Sequence, residues 1–143
     1  MNISIRGANE QDFQAVYQLN KFGLGYDFDN TRQRLRHILE LQNNKIFVAL
    51  IDDKVVGYAH AADYDCTYSE PVKNILAIVV AAEKRSLGIG RLLIGAIEDW
   101  AKSDGAVGVR LVSGMEREQA HKFYLACGYS QRKTQKNFVK IFG

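Results

Sequence analysis

The feature that most constrains the fold of this chain is an apolar segment followed directly by a basic, glycine-containing turn. The apolar run KNILAIVVAA lacks polar alternation and predicts a central strand buried on both faces. The turn EKRSLGIGR, residues 83–91, carries Gly88 and Gly90. Beyond it, apolar residues recur at helical spacing as far as Trp100. The sequence therefore predicts a strand, a turn and a helix in direct succession.

Such a turn is a favourable place for an anionic ligand. It brings backbone N–H groups and the positive end of a helix to one point, where phosphate oxygens bind well. Gly88 and Gly90 would let the backbone approach a ligand that a Cβ would block. Arg85 and Arg91 would add positive charge. A turn whose glycines serve only the geometry between strand and helix is the alternative.

Two common nucleotide motifs fit this turn poorly. A P-loop would need Gly-Lys-Ser/Thr, but Gly90 is followed by Arg91 and Leu92. A dinucleotide-binding fingerprint would need a third glycine or an alanine where Leu93 stands, in the first strand–helix unit of a parallel sheet. Here two predicted helices and a hairpin come first, so both motifs are disfavoured.

The rest of the chain predicts one mixed α/β domain over residues 1–143. A short strand (NISIRGA), two helices and the hairpin KIFVALIDDKVVGYAHAAD precede the central strand. Gly23 is predicted to end the first helix, and Asp29 or Asn30 to cap the second. The strand VGVRLVSG, a helix capped by Gly128 and a last alternating strand, KNFVKIF, complete the chain.

Composition and charge exclude several classes of protein. A hydrophobic content of 47% is that of an ordinary globular domain, and the net charge of +3 is not gathered into a long basic tract. The start, MNISIRGANEQDF, has no apolar core of signal-peptide length, and no run approaches the roughly 20 apolar residues of a membrane span. Cys66 and Cys127 make neither a disulfide framework nor a metal cluster. We therefore expect a cytoplasmic protein without a metal, nucleic-acid or membrane partner.

Two motifs resemble the signatures of the GNAT superfamily of acetyl-coenzyme A-dependent N-acetyltransferases. RSLGIGR, residues 85–91, fits the pattern Arg/Gln-x-x-Gly-x-Gly/Ala, and REQAHKFYLACGY, residues 117–129, is similar to the family's A-x-x-F-Y helix with its Gly-aromatic pair. Their order and separation match the family, and the whole chain follows the layout of a small, single-domain, bacterial-type member. Ser86 stands where glycine is most common, and Arg117 where asparagine is common.

The resemblance implies an α/β (α+β) GNAT fold. Its mixed, mostly antiparallel sheet of six to seven strands would be splayed at the fourth strand and flanked by four helices. Acetyl-CoA would lie in the split, with its pantetheine arm paired to the backbone of Ile78, Val79 and Val80. Its pyrophosphate would meet the turn residues, which are Arg85, Ser86, Leu87, Gly88, Ile89, Gly90 and Arg91.

Acetyl transfer from the thioester to an amine, directly within a ternary complex, has three chemical requirements. The amine must lose a proton, the oxyanion must be stabilised, and the departing thiolate must be protonated. The N–H of Val79 or Val80 is the candidate for the oxyanion. Tyr124 matches the motif tyrosine, and its ordinary pKa of about 10 lies close enough to the roughly 8.5 of a thiol for it to act as the acid. Core packing beside Phe123 is the alternative role.

The sequence supplies no clear general base. The helix motif is also similar to a branch that acetylates aminoalkylphosphonates, but that branch carries a carboxylate where this chain has Ala77, so its substrate is not carried over. His60 acting through water is a candidate base, as is a water chain to solvent. His121 faces a different side of its helix from Tyr124. The other candidates are acidic residues near the expected substrate mouth, and they are Asp63, Asp65 and Glu70.

The acceptor pocket is predicted to form from the first two helices, the loop between them at residues 21–32, and the segment 64–71. The loop and the segment both mix acidic with aromatic side chains, which suits a cationic amine of a small molecule or peptide. A non-catalytic acyl-CoA-binding or sensor module is the alternative to an enzyme, and nucleic-acid binding would rest only on the basic tail. The last strand could be an exposed edge, which leaves a homodimer open.

Overall fold

The computed structural model describes residues 2–143. They cluster into two compact units, one ending at Val112 and one running from Ser113 to Gly143. The first unit holds a five-stranded sheet whose strands lie side by side in chain order. The strands are β1 (Ile3–Gly7), β2 (Asn44–Ile51), β3 (Lys54–Tyr64), β4 (Val72–Val80) and β5 (Val109–Leu111).

Four α-helices accompany the strands within residues 2–143. They are α1 (Phe13–Leu19), α2 (Thr31–Leu39), α3 (Ile89–Ser103) and, in the second unit, α4 (Glu118–Ala126). Strands β1 to β4 are antiparallel neighbours, and β5 is parallel to β4. The predicted mixed, mostly antiparallel sheet with four helices is confirmed. The predicted count of six to seven strands is wrong, since five strands form in the part of the chain that the structure describes.

The core of the first unit lies on both faces of the sheet. On one face, Val16 of α1 and Leu35 of α2 pack against Val48 and Tyr58. On the other face α3 covers the sheet, with Ile89, Leu93 and Ile97 almost fully buried. Neighbouring residues of a strand point to opposite faces of the sheet. The Tyr58 side chain therefore lies on the face that α1 covers, whereas a Cβ on the adjacent Gly57 would meet Leu93 and Ile89 on the α3 face.

The predicted Asp-Asp hairpin turn is confirmed. Asp52 and Asp53 have φ angles of +49° and +68° between β2 and β3. Two-residue hairpins of the favoured hand need positive φ at both positions, and aspartate tolerates that region better than most residues.

The end of the first helical segment differs from the prediction. A π-helical turn, Asn20–Leu24, extends α1, and Gly25, with φ of +82°, ends it instead of Gly23. A Cβ built on Gly23 would lie 2.3 Å from Cγ1 of Val79. Gly23 is therefore needed for a close approach to β4, and Gly25 supplies the left-handed turn.

The capping prediction for the second helix is only half right. Asn30 occupies the N-cap position of α2, but its side chain makes no capping hydrogen bond. The Thr31 hydroxyl instead donates to the Phe28 carbonyl at 2.7 Å.

The last predicted strand is wrong. Residues 137–142 form no strand, because a strand needs a hydrogen-bonded neighbour and no segment of residues 2–143 pairs with them. Strand β5 is also shorter than the predicted VGVRLVSG, residues 107–114, since only Val109–Leu111 pair with β4.

Candidate functional site

Strand β4 loses its neighbour halfway along its length. β5 pairs only with Lys73–Ile75, so among residues 2–143 the following segment, residues 76–80, has a strand partner on the β3 side alone. The pairing with β3 shifts at the same point, because Ala77 lies opposite His60 and Ile75 opposite Ala61. Leu76 is thus a bulge, which bends a strand locally. The predicted opening of the sheet at the fourth strand is confirmed and begins at Leu76.

The open edge of β4 presents a defined set of backbone groups. The Ala81 N–H donates to the Val56 carbonyl of β3 at 2.8 Å, and Val80 lies opposite Gly57. In an antiparallel ladder, adjacent residues turn their N–H and C=O groups to opposite sides. Val79 therefore faces β3, whereas Ile78 and Val80 face the open edge. Such groups need a partner, and an extended ligand that carries amides can supply it.

The glycine turn joins this edge to the start of α3. After a short 3₁₀ turn, Ser86 and Gly88 adopt φ angles of +67° and +83°, and α3 begins at Ile89. Left-handed residues in such a turn make concave sites for anions. The first turn of α3 adds N–H groups without intrahelical acceptors and the positive end of a 15-residue helix. The turn therefore has the chemistry of a phosphate site.

Burial divides this turn into an anchor and an exposed binding surface. The Ile89 side chain is almost fully buried and fixes the start of α3, whereas Arg85–Gly88 are exposed. Ser86, at the position where glycine was expected, adopts the left-handed conformation that glycine allows more easily, at a cost of roughly 1–2 kcal/mol for an L-residue. The substitution therefore leaves the backbone shape intact.

The second unit holds Tyr124 on α4. Its ring lies 5.4 Å from Phe123 and 6.3 Å from Tyr129, centroid to centroid. Burial raises the pKa of Tyr124, and the nearby charge of Arg117 opposes this only in part. The hydroxyl is therefore protonated at neutral pH, which is the state that a proton donor needs. The predicted cap is confirmed, since Gly128 has φ of +93° and follows α4 directly.

His60 is poorly suited to act as a general base. It lies on β3, where its Nε2 is 2.7 Å from Oδ1 of Asn44. Burial lowers the pKa of His60 to about 4. A catalytic base works best with a pKa near the working pH, so the structural role of this histidine is favoured.

Acid should destabilise the protein through His60. Between its ordinary pKa of 6.5 and the folded value of about 4, the unfolded chain binds a proton that the folded chain excludes. The free energy of unfolding should therefore fall as the pH is lowered through this window, by up to about 3 kcal/mol. Urea unfolding across this range should show that slope, and His60→Gln should flatten it. His37→Gln, at an exposed position, is the control, and an equal flattening there would contradict the assignment.

Asp63, another candidate base, and His121 both have polar partners. Asp63 lies in β3 and forms a salt bridge with the buried Lys73, which also bonds to Asp104 at the end of α3. In the second unit, Nε2 of His121 hydrogen bonds to the Gly114 carbonyl at 2.8 Å. His121 is half-buried.

The predicted acceptor loops do combine acidic and aromatic side chains. Phe22 and Tyr26 are strongly exposed. Asp27 already has partners, since the Tyr17 hydroxyl donates to it and Lys21 lies 3.7 Å away. Four carboxylates of the two loops are exposed, and they are Asp27, Asp29, Asp65 and Glu70.

One connection between loop and sheet was not predicted. The buried Tyr58 hydroxyl donates to Oδ1 of Asn20, next to the contact between Gly23 and Val79. The alternation of apolar residues along β3 predicts that the Tyr58 side chain is buried. It does not predict the hydrogen-bond partner of the hydroxyl, which lies 38 residues away in the sequence. This bond ties the π-helical turn at the end of α1 to β3, and the contact of Gly23 with Val79 brings the same turn against β4.

Residues 2–143 lack two features, a membrane-spanning helix and a metal-binding cluster. No helix there combines the length and hydrophobicity that crossing a bilayer requires. Histidine, cysteine and acidic side chains nowhere gather in threes, as they would to hold a metal ion.

Comparison with known proteins gives consistent results. Residues 12–129 match the acetyltransferase (GNAT) family. An aminoglycoside N(6')-acetyltransferase type 1 of Stenotrophomonas maltophilia is 31% identical over 133 residues, covering 90% of this chain and 86% of the relative. An aminoalkylphosphonate N-acetyltransferase of Salmonella typhimurium is 28% identical over 123 residues, covering 86% and 71%.

A solved structure shares the fold. The aminoglycoside acetyltransferase AAC(6')-Iy, in complex with a bisubstrate analogue, superposes with a TM-score of 0.88 at 22% identity, covering 99% of this chain and 100% of that one. The opened sheet, the glycine turn and these matches agree, and the chain is an acyltransferase that belongs to the acetyltransferase (GNAT) family.

Proposed function

We propose that this protein is an N-acetyltransferase that moves the acetyl group of acetyl-CoA directly to a primary amine of a small molecule or peptide. The observation that carries the proposal is the continuity of the open β4 edge with the turn and the start of α3. Ile78 and Val80 would bind an amide-bearing arm, and residues 85–91 would bind the phosphates. The two free cysteines fit the reducing cytoplasm.

The fit to acetyl-CoA rests on matching chemistry at both ends of this surface. The edge offers hydrogen-bond donors and acceptors at every second residue, as an added strand would require. The turn offers backbone N–H groups, the α3 terminus and the arginines at 85 and 91. When bound, the coenzyme supplies a thioester acyl group that is already activated for transfer.

The residues of the chain would then take distinct parts. The N–H of Val80, which faces the open edge, would donate to the acyl oxygen as negative charge develops there. Because backbone N–H groups alternate between the two edges of a strand, the N–H of Val79 faces β3. Val80 is therefore favoured over Val79 as the oxyanion donor. Tyr124 would hold the proton that the departing sulfur takes up. With His60 and Asp63 engaged, the amine proton would leave through water to solvent.

The acceptor is proposed to be a cationic small molecule. Exposed aromatic rings and carboxylates lie together in the loop between α1 and α2 and in the loop before β4. Such a surface attracts an ammonium group through charge and through the ring faces. Relatives named for aminoglycosides and aminoalkylphosphonates are consistent with small amines, so these two classes come first in a substrate panel.

Release of free thiol from acetyl-CoA, followed with a dye across a panel of amines, tests the proposal. We expect turnover with at least one small amine. Gly88→Val should weaken acetyl-CoA binding by about tenfold or more, because a β-branched residue is strained at φ of +83° and would reshape the turn. Gly95→Ala inside α3, where a Cβ meets nothing within 4 Å, is the matched control.

The same experiment separates the enzyme from the alternative. A sensor module would bind acetyl-CoA, with a rise in melting temperature, and turn over no amine in the panel. If acetyl-CoA neither binds nor reacts, the turn serves only the backbone geometry and the proposal is wrong.

A further inference from the structure

Arg110 on β5 differs from the other arginines of residues 2–112 in its burial and its partners. Its side chain is half-buried, whereas the other arginines of that range are exposed. Its Nη1 donates to Oδ1 of Asn74 on β4 at 2.6 Å, and its Cζ lies 4.1 Å from the ring centroid of Tyr64 at the end of β3. These two contacts together restrict the position of the guanidinium plane.

The charge of Arg110 is not balanced by a carboxylate within residues 2–112. Arg6, Arg32 and Arg36 each form a salt bridge in that range, but Arg110 forms none there. A guanidinium has five N–H donors, and the bond to Asn74 uses one of them. An acid group of a ligand would match both the charge and the remaining donors.

Strand register places this cation on the face of the sheet that α1 and α2 cover. Tyr58 packs with the helices on that face, and every second residue of β3 after it, as far as Tyr64, shares the face. Asn74 lies opposite Ala62, and Arg110 lies opposite Asn74. Directly paired residues point to the same side of a sheet, so Arg110 lies on this face too.

Arg110 also borders the opening of the sheet. Its partner Asn74 comes two residues before Leu76, where β4 loses β5. Tyr64, whose ring faces the guanidinium, begins the segment 64–71 that is predicted to line the acceptor pocket. The two acceptor loops carry exposed carboxylates. The predicted pocket therefore combines negative charge on its loops with one fixed positive charge on the sheet.

We propose that Arg110 binds a carboxylate of the acceptor, and that the acceptor is an extended amine with this carboxylate at its far end, such as a short peptide. The inference rests on the proposed acetyltransferase activity and narrows its substrate class. The loop carboxylates would attract the ammonium end, and the guanidinium would bind the carboxylate through two parallel N–H···O bonds. An aminoglycoside, with several ammonium groups and no acid group, would be repelled by Arg110.

The charge at this position suits a carboxylate better than a phosphonate. A phosphonate, like a phosphate ester, carries about −1.5 to −2 charge at neutral pH, whereas one guanidinium supplies a single positive charge. Lys73, next to Asn74 along β4, points to the other face and is already paired with Asp63 and Asp104. It therefore supplies no second cation.

The position of Arg110 also sets the length of the acceptor. Asn74 and the proposed oxyanion donor Val80 are six residues apart on β4, roughly 20 Å in an extended strand. A single amino acid cannot bridge such a distance, whereas a peptide of a few residues can, at about 3.3–3.6 Å per residue. Short peptides should therefore be better acceptors than single amino acids.

Thiol release from acetyl-CoA, measured with single amino acids and with peptides of increasing length, tests this inference. Each acceptor is compared with its C-terminal primary amide, which keeps the amine and removes the carboxylate charge. We expect the protein to favour the acid by about 10–100-fold in kcat/KM, the usual effect of a charge-assisted pair. Arg110→Gln should abolish this preference by raising KM while kcat changes little. Arg110→Lys should retain part of it, because it keeps the charge but loses the planar fork.

A control variant and a binding measurement complete the test. Lys54→Gln removes the same charge at an exposed position at the start of β3 and should keep the preference. With coenzyme A present, the Nε–H resonance of Arg110, assigned by its loss in Arg110→Lys, should shift on addition of a peptide acid but not of its amide. If that shift occurs and no amine is acetylated, the proposed function fails while the carboxylate site stands.

Three results would overturn the inference. Acids and amides that react and bind alike would make Arg110 only a tie between β4 and β5. A preference for the acid that persists in Arg110→Gln would place the carboxylate site elsewhere. Faster turnover of aminoalkylphosphonates or aminoglycosides than of any peptide acid would show that a different charge pattern selects the acceptor. If Arg110→Gln does not fold, the wild-type comparison of acid with amide and the Arg110→Lys variant decide the question.

Discussion

Tyr124→Phe should lower kcat by about 10²–10³-fold while the affinity for acetyl-CoA changes little. General acid catalysis typically contributes effects of this size. The substitution removes a single oxygen and keeps the ring that packs beside Phe123 and Tyr129. Burial raises the pKa of this hydroxyl, so the proton is present throughout the neutral range. Steady-state thiol release and calorimetric binding of acetyl-CoA measure the two quantities separately.

Tyr129→Phe is the matched control for this prediction. It removes the hydroxyl of another tyrosine in the same unit, 6.3 Å away between ring centroids. We expect it to keep most of the activity. Equal losses in both variants, or a Tyr124→Phe enzyme with wild-type kcat, would assign Tyr124 to packing and leave the acid unidentified.

Gly23→Ala should destabilise the protein by about 1–3 kcal/mol, the usual cost of forcing an extra group into a packed core. The new Cβ would lie 2.3 Å from Cγ1 of Val79, and a valine side chain on a strand has little freedom to turn away. The helical turn and β4 must then separate. Because Val79 adjoins the proposed oxyanion donor Val80, kcat should fall together with the free energy of unfolding. Urea unfolding and the thiol-release assay measure both.

Gly95→Ala provides the comparison for Gly23→Ala. Gly95 is also a helical glycine, but a Cβ there meets nothing within 4 Å, so the change should be neutral or stabilising by up to about 1 kcal/mol. A double variant, Gly23→Ala with Val79→Ala, removes the clashing atom and should recover part of the loss. Absence of any recovery would show that the cost of Gly23→Ala arises elsewhere.

Local patterns predicted most of the secondary structure. The helical spacing of apolar residues after Gly90 predicted α3. The Asp-Asp pair predicted the hairpin turn, and Gly128 predicted the cap of α4. Each depends on interactions within a few residues, which periodicity and turn chemistry report directly. The predictions failed where a distant partner decides. Gly23 looked like a helix end, but it lies inside the helical turn, where Val79, on a strand 56 positions later in the chain, leaves no room for a Cβ.

The features of the candidate site also separate into those that local sequence predicts and those that depend on distant residues. The sequence by itself determined the glycine turn, the motif tyrosine and the family, because these lie in short segments with fixed spacing. Only the tertiary structure decided that the sheet opens at Leu76, that Val80 and Ile78 face that opening, and that His60 and Asp63 are held by Asn44 and Lys73. Strand register, burial and ion pairing join residues far apart in the chain. No local pattern encodes which partner each group meets, and that partner sets both the direction of a backbone N–H and the charge of a side chain.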